Sequence, residues 1–223
     1  MVRRSRRIFG QIAKEMSDFI LCKDMLVIPP TENIVRGFLI EGTSEKDRIY
    51  LWKVVCPLHR PMRDVYLNYS NRISEEGGDI FVDSKDFRKS AALIGSIIGK
   101  HVDELSLIRT AKDFLRYIGP MLGNESFVVQ LDLAMIHCRM RNISKCREIL
   151  TKLRVRFDSW TEQMNQGSRQ KHSDPFGDQL ELVERAFASG SEDLIVLMNE
   201  WESKNVELLE LGPTWVPPVV STI

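Results

Sequence analysis

The spacing of apolar residues changes twice along the chain and marks the boundaries of the predicted elements. From 8 to 20, apolar residues recur every three or four positions, which predicts an amphipathic helix. Between about 23 and 83 the period falls to two, which is typical of β-strands. From about 84 the helical period returns and continues to about 209. The pattern therefore predicts an α+β protein, with an N-terminal helix and a sheet followed by an all-helical portion.

Five runs in the β-like stretch have the composition of strands. They are expected at 25–28, 34–41, 48–56, 64–70 and 80–82. Polar residues between the second and third runs suit a hairpin turn. Because the connections are short and contain no crossover helix, we expect an antiparallel meander of four or five strands. The run at 48–56 is apolar on both faces apart from Lys53, so it should be central and covered on both sides.

Six helices are predicted in the rest of the chain. Ser84 and Asp86 are candidate caps of the first, and Gly119-Pro120 ends the second, whose apolar stripe runs from 105 to 118. The other four are expected at about 125–141, 144–165, 176–188 and 191–209. Residues 165–175 hold no apolar side chain, which indicates a mobile surface loop. The proline-containing tail is expected to be extended.

These elements divide the chain into three parts. The predicted parts are a helix-plus-sheet portion at 1–83, a helical portion at 84–211 with hairpins at 125–165 and 176–209, and an extended tail at 212–223. A single compact domain that contains both larger portions is the alternative, because 223 residues suit one large domain or two small ones. With 43% hydrophobic and 28% charged residues, the composition excludes collagen-like, low-complexity and wholly disordered proteins.

Charge, hydropathy and cysteine spacing limit the classes of protein to which the chain is expected to belong. Lys+Arg and Asp+Glu both number 31, and this zero net charge argues against a dedicated nucleic-acid binder. No apolar stretch approaches the ~20 residues of a membrane-spanning helix. The N-terminal arginines are not followed by the apolar region of a secretory signal. The four cysteines form no CxxC pair, so reduced thiols and a cytoplasmic location are expected.

Residues 133–150 resemble the middle of a tetratricopeptide-type helical hairpin. In that family a small residue lies in the first helix, a Gly-Asp/Asn-Tyr turn follows, and a small residue opens the second helix. The matching positions here hold Ala134, Asn142, Ile143 and Cys146. Arg141 stands where the family prefers glycine. The resemblance covers about 34 residues, one repeat length, at 127–160. It implies close antiparallel helices within a helical-repeat portion, and an ordinary helical bundle packed on the sheet is the alternative.

Charge is segregated within the helical portion. The stretch 139–156 holds seven basic residues against Glu148 alone, and 178–210 holds nine acidic residues against two basic ones. Such patches either pair within the fold or face partners of opposite sign. If the basic hairpin faces an acidic protein partner, Arg139, Arg141 and Arg147 are candidate binding residues.

The sheet region adds a cluster of residue types that are common in binding hot spots. Its members are Tyr50, Trp52, His59, Arg60, Arg63, Tyr66 and Tyr69. Trp52 is expected in the core. Arg60, Arg63 and Tyr66 are further candidates for contact with a partner.

The sequence shows no complete catalytic or metal-binding motif. Cys56 and His59 have the spacing of two metal ligands, but a structural zinc site needs four. Neither G-x-S-x-G nor a phosphate-binding glycine loop occurs. We therefore expect no metal and no cofactor. The leading hypothesis is a non-enzymatic protein–protein interaction module, of which an inhibitor or immunity-type binder is one form.

Two other functions remain open at this point. An enzyme of unfamiliar type would have its site at the sheet–helix junction and would use Cys56, His59 or Arg60. A deep cleft in which these side chains converge would favour it. Nucleic-acid contact through the N-terminal arginines and the basic hairpin would give binding with a steep salt dependence.

Overall fold

A computed structural model describes residues 2–45, 47–74, 78–83, 85–121, 126–165 and 175–217. Within these residues the first half contains helix α1 (Val2–Glu15) and strands β1 (Ile20–Cys22), β2 (Met25–Val27), β3 (Ile34–Gly42), β4 (Arg48–Pro57), β5 (Asn71–Ile73) and β6 (Ile80–Phe81). The second half contains α2 (Phe87–Gly99), α3 (Val102–Ser106), α4 (Ala111–Ile118), α5 (Phe127–Arg139), α6 (Ile143–Asn165), α7 (Pro175–Ser189) and α8 (Ser191–Leu208). The α+β class is confirmed. None of the described helices is long and apolar enough to cross a lipid bilayer.

The strands form the predicted antiparallel meander. Their order is β1-β2-β3-β4-β5, and β6 also pairs with β4. The longest hairpin is β3–β4, in which Ile34 lies opposite Pro57 and Gly42 opposite Ile49. The strand predicted at 64–70 is wrong, because this segment forms a loop with bends and turns. Val65, Tyr66 and Leu67 all pack against the sheet face that carries Val54, whereas Tyr69 belongs to the larger core, so the alternation in the sequence does not correspond to one buried face.

Both faces of the sheet are covered. One face carries Phe38, Leu51 and Val55, which belong to a large core shared with the helices on that side. This core draws residues from α1 through α8, and therefore from both larger portions predicted from the sequence. The other face carries Val54 and Cys56, which pack against the end of α8 and the residues that follow it. Strand β4 is therefore central and covered on both sides, as expected.

The helical half differs from the prediction at one break. The stripe expected to form one helix at 105–118 is divided, because α3 ends at Ser106 and α4 begins at Ala111. Thr110 caps α4 by accepting the Asp113 N–H, while the Asp113 side chain accepts the Thr110 N–H. Asp86 caps α2, as predicted for one of the two candidates. Ser84 and most of the loop predicted at 165–175 lie outside the described residues.

The described part of the tail returns to the sheet side of the molecule. Thr31 and Trp215 form a parallel bridge. The Thr31 N–H donates to the Thr214 carbonyl at 2.7 Å, and the Val216 N–H donates to the Thr31 carbonyl at 2.7 Å. The tail is therefore extended at this point and is held by main-chain hydrogen bonds.

Candidate functional site

Four polar side chains meet inside the protein where the loop after β4 contacts α5. Asp132 on α5 accepts hydrogen bonds from Arg60 Nε at 2.5 Å and from the Tyr69 hydroxyl at 2.7 Å. Its Oδ1 lies 3.1 Å from Nε2 of His59. All four side chains are buried, with exposed fractions of 2–4%. His59 and Arg60 are residues predicted from the sequence, and the structure brings them to a carboxylate that the sequence patterns did not identify.

The loop that carries His59 and Arg60 is held in place by α8. Leu58, just after β4, donates its N–H to the Asn33 carbonyl at 2.9 Å. The Asn205 side chain of α8 donates to the carbonyls of Leu58 at 2.7 Å and Arg60 at 2.6 Å. Asn205 is itself buried. Because buried carbonyl groups need hydrogen-bond partners, this amide fixes the path of the loop.

The negative charge of Asp132 and the positive charge of Arg60 balance each other in this buried cluster. Burial alone would raise the pKa of Asp132, but the charge of Arg60 and hydrogen bonds from His59 and Arg60 outweigh it and lower the pKa to about 2. Burial lowers the pKa of His59 in spite of the nearby Asp132, so the imidazole is neutral at pH 7. One buried carboxylate is therefore paired with one buried guanidinium.

The buried cluster has the side chains of an active site, but it lacks access for a substrate. A general base or nucleophile has to reach a substrate directly or through one water. His59, Arg60 and Asp132 are enclosed and directed at one another. Burial raises the pKa of the Cys56 thiol to about 12, which keeps it protonated and unreactive. The geometry supports a structural role for these residues, which tie the loop after β4 to α5.

Metal binding finds no support in the described part of the chain. Within it, no group of three or more His, Cys, Asp or Glu side chains is placed to hold an ion. His59 is directed at Asp132, and Cys56 lies in the core on the other face of the sheet.

Much of the segregated charge pairs within the fold. Arg139 on α5 donates to Glu202 on α8 at 2.5 Å, and Glu202 is fully buried. Arg141 forms an exposed ion pair with Glu192 at the start of α8. Arg154 on α6 donates from Nε to Glu184 on α7 at 3.0 Å. The acidic helices α7 and α8 therefore serve as internal partners of the basic hairpin.

Arg147, the third candidate on the hairpin, differs from the other two. Its side chain is exposed on α6, and its guanidinium carbon lies 5.8 Å from the centroid of the Phe187 ring on α7. No carboxylate among the described residues forms an ion pair with it. This cation is therefore available to a partner.

A groove between α6 and α7 opens beside Arg147. Its volume is about 330 Å³. The groove has an apolar floor and a charged rim, formed by Leu150, Val155 and Phe187 and by Arg147, Arg154 and Glu184. Val155 is 65% exposed, although a valine at this position gains nothing from contact with water. The groove therefore combines an accessible apolar surface with an available cation.

The candidates near the sheet differ in exposure to solvent. Arg60 is buried in the cluster around Asp132, whereas Arg63 is exposed. Tyr66 is half-buried, donates its hydroxyl to the Pro61 carbonyl and lies with its ring 4.7 Å from the Arg60 guanidinium carbon. Of these three, Arg63 is the one whose side chain faces solvent.

Some buried polar residues gave only weak signals in the sequence. Arg36 lies in β3 with 2% exposure, and its guanidinium donates to the carbonyls of Ile108 at 3.0 Å and Pro30 at 2.5 Å. Asp132 interrupts an apolar stretch of α5, whereas Glu202 lies in a polar part of α8. A charged residue inside an apolar run is the signal that identifies Arg36 and Asp132, but the sequence does not name their partners. No such signal marks Glu202.

Comparisons of the chain with protein-family models, with curated proteins and with solved structures found no match. The functional conclusion therefore depends on the geometry of this chain. That geometry assigns the cluster around Asp132 to the scaffold and leaves the α6–α7 groove as the candidate functional site.

Proposed function

We propose that this protein is a non-enzymatic protein–protein interaction module that binds an acidic protein partner through its helical portion. The observation that carries the proposal is the α6–α7 groove, where exposed Val155 lies beside Arg147. Apolar side chains next to an arginine are typical of interaction sites, because the apolar part supplies binding energy and the cation supplies orientation. An inhibitor or immunity-type binder is one form of such a module.

Other exposed apolar side chains support the same assignment. Single exposed apolar residues are ordinary, whereas several on neighbouring helices mark a surface used for contact. Those on α6 and α7 are Val155, Trp160, Met164 and Leu182. Both helices line the groove itself.

The tetratricopeptide-like resemblance of 127–160 is part of this proposal. Arg141, at the position where that family prefers glycine, has φ of 61°, in the left-handed region that glycine adopts most readily. Stacked helical hairpins expose continuous grooves, and these grooves are the surfaces that repeat proteins use for binding. The turn geometry at Arg141 is compatible with such a hairpin.

Ion pairs between the helices give the proposed interaction surface a rigid support. Arg139–Glu202 joins α5 to α8, and Arg154–Glu184 joins α6 to α7. Binding that needs no rearrangement loses less free energy to ordering. These pairs therefore favour a preformed groove.

A pulldown of the full chain from native lysate tests the proposed function, at low salt and at ~0.5 M salt to separate screened contacts from strong ones. The bait variant is Arg141→Glu/Arg147→Glu. Its matched control is Arg116→Glu/Arg185→Glu, which reverses two exposed arginines on other helix faces. We expect one stoichiometric protein partner on the wild type and on the control, and its loss from the bait variant. A clean bait, or a partner held equally by all three proteins, contradicts the proposal.

A further inference from the structure

We infer that the α6–α7 groove binds a short segment of a partner protein that inserts an apolar side chain against Val155 and Phe187 and places a carboxylate on Arg147. This inference rests on the proposed function and specifies the binding site and the chemistry of the bound segment.

The floor of the groove suits one or two apolar side chains. Leu150 is almost fully buried and forms its base, whereas Val155 is largely exposed. Phe187 on α7 is half-buried and faces the same space. A volume of about 330 Å³ lies at the lower end of the range for ligand sites, so the groove suits a short segment and not a bulky ligand. An apolar side chain in this position would remove exposed apolar surface on both partners from water.

The charge of the groove favours a carboxylate on the bound segment. Five of the seven basic residues in 139–156 have carboxylate partners in the described chain, and these are Arg139, Arg141, Lys145, Lys152 and Arg154. Arg154, on the groove rim, is paired with both Glu184 and Asp158. Arg147 is therefore the rim cation whose charge is not balanced by a described carboxylate. A guanidinium beside an aromatic ring keeps its N–H donors for a bidentate contact with a carboxylate.

The same features disfavour nucleic acid in the groove. A phosphate backbone is bound by several cations acting together, and its affinity depends on their number. Among the described residues the groove offers one cation without a carboxylate partner, since Arg154 on the same rim is paired with Glu184. A single carboxylate next to an apolar side chain matches the groove better.

Peptide selection on the full-length chain tests this inference. The probe is a random library of 12-residue peptides displayed on phage, and enriched peptides are then labelled and titrated by fluorescence anisotropy. The groove variants are Val155→Glu and Arg147→Glu. Matched controls are Val196→Glu on α8, where the valine is 55% exposed, and Arg185→Glu on α7, where the arginine side chain is 68% exposed. Circular dichroism verifies that all four variants are folded.

We expect the enriched peptides to carry Asp or Glu three or four residues from Leu, Met or Phe, the spacing of one helix face. Each groove variant should weaken binding by about tenfold or more, as loss of an interface anchor does. The controls should stay within about twofold of the wild type, the effect of a change outside the interface. Replacing the peptide's acidic residue with Lys should restore binding to Arg147→Glu, because the charges are then exchanged.

Three results overturn the groove inference. They are a selection that enriches no such peptide, peptides that bind the groove variants as tightly as the wild type, and self-association of the chain that Val155→Glu abolishes. The last would assign the groove to a second copy of the chain. These results leave the proposed function to the pulldown, in which loss of the partner from the Arg141→Glu/Arg147→Glu variant still supports it. Conversely, a pulldown that captures no partner contradicts the proposed function. If peptides still bind the groove in that case, the chemistry of the groove is supported on its own.

Discussion

Arg139 on α5 donates a 2.5 Å hydrogen bond to Glu202 on α8, yet this buried pair is incompletely satisfied. Glu202 Oε2 and Arg139 Nε are both buried and have no hydrogen-bond partner among the described residues. Burial raises the pKa of Glu202 to about 7, although the charge of Arg139 opposes the shift. One ion pair therefore compensates only part of the cost of burying the carboxylate.

The first prediction concerns the pH dependence of stability that Glu202 causes. A glutamate in the unfolded chain has a pKa of about 4.3. At pH values between this pKa and the raised pKa of the folded state, the folded protein binds more protons than the unfolded chain does. The free energy of unfolding therefore falls as pH rises. Glu202→Gln removes this titration and keeps an oxygen that can accept from Arg139. We expect the stability of the variant relative to the wild type to increase by about 2–3 kcal/mol between pH 5 and pH 8.

Urea unfolding at pH 5, 6, 7 and 8 measures this difference. The comparison is made between variant and wild type at each pH, because titration of groups other than Glu202 affects both proteins equally. Glu200→Gln, an exposed position on the same helix, is the control and should show a constant difference. A constant difference for Glu202→Gln as well would show that this carboxyl group does not titrate between pH 5 and pH 8.

The second prediction concerns Asp132. Asp132→Asn leaves the Arg60 charge buried without its carboxylate, and loss of one member of a buried pair costs about 3–5 kcal/mol. We expect a loss of about 3 kcal/mol at pH 7. Because the pKa of Asp132 is about 2 in the folded protein and about 3.9 in an unfolded chain, its contribution is complete above the unfolded value. This contribution is lost as pH falls through the pKa of Asp132 in the folded protein. The free energies of unfolding of the variant and the wild type should therefore converge in acid.

Urea unfolding at pH 7 and pH 3 tests both parts of this second prediction. Asp178→Asn on α7 is the control, because that residue is exposed. A variant as stable as the wild type at pH 7 would mean that the cluster around Asp132 does not hold the loop to α5.

The elements of the fold could be predicted largely because periodicity reports local structure. The hairpin β3–β4 and helices α5 to α8 follow from residues that are neighbours in sequence. The segment 64–70 could not be assigned in this way, since its apolar residues alternate along the sequence as in a strand although the segment forms a loop. The break before α4 was readable from Thr110 and Asp113, whose spacing is that of a capping box.

The partners of the charged residues, and with them the candidate site, were less predictable, because these contacts join distant parts of the chain. Asp132 meets His59, which is 73 positions earlier, and Arg139 meets Glu202, which is 63 positions later. Charge segregation in the sequence allows either internal pairing or binding to a partner. The tertiary packing decides between them residue by residue, pairing Arg139, Arg141 and Arg154 internally and leaving Arg147 beside the groove.

The last prediction tests the register of the sheet through Gly37. This residue lies in β3 opposite Val27 of β2 and Val54 of β4. A Cβ at Gly37 would lie 2.1 Å from the carbonyl oxygen of Leu26, which is a backbone atom of the neighbouring strand. Relief of this overlap requires β2 and β3 to separate, so we expect Gly37→Ala to reduce the free energy of unfolding by about 3 kcal/mol or more.

Gly99 at the end of α2 supplies the matched substitution. A Cβ there meets no atom within 4 Å, and alanine restricts the unfolded chain more than glycine does. We therefore expect Gly99→Ala to raise the stability by about 0.4–1 kcal/mol. Both changes in the free energy of unfolding are measured from the midpoints of urea unfolding, with the m-value held constant. Because the two variants add the same methyl group, similar effects at both sites would be incompatible with the close approach of β2 to β3, and the pairing of Val27 with Gly37 would have to be revised.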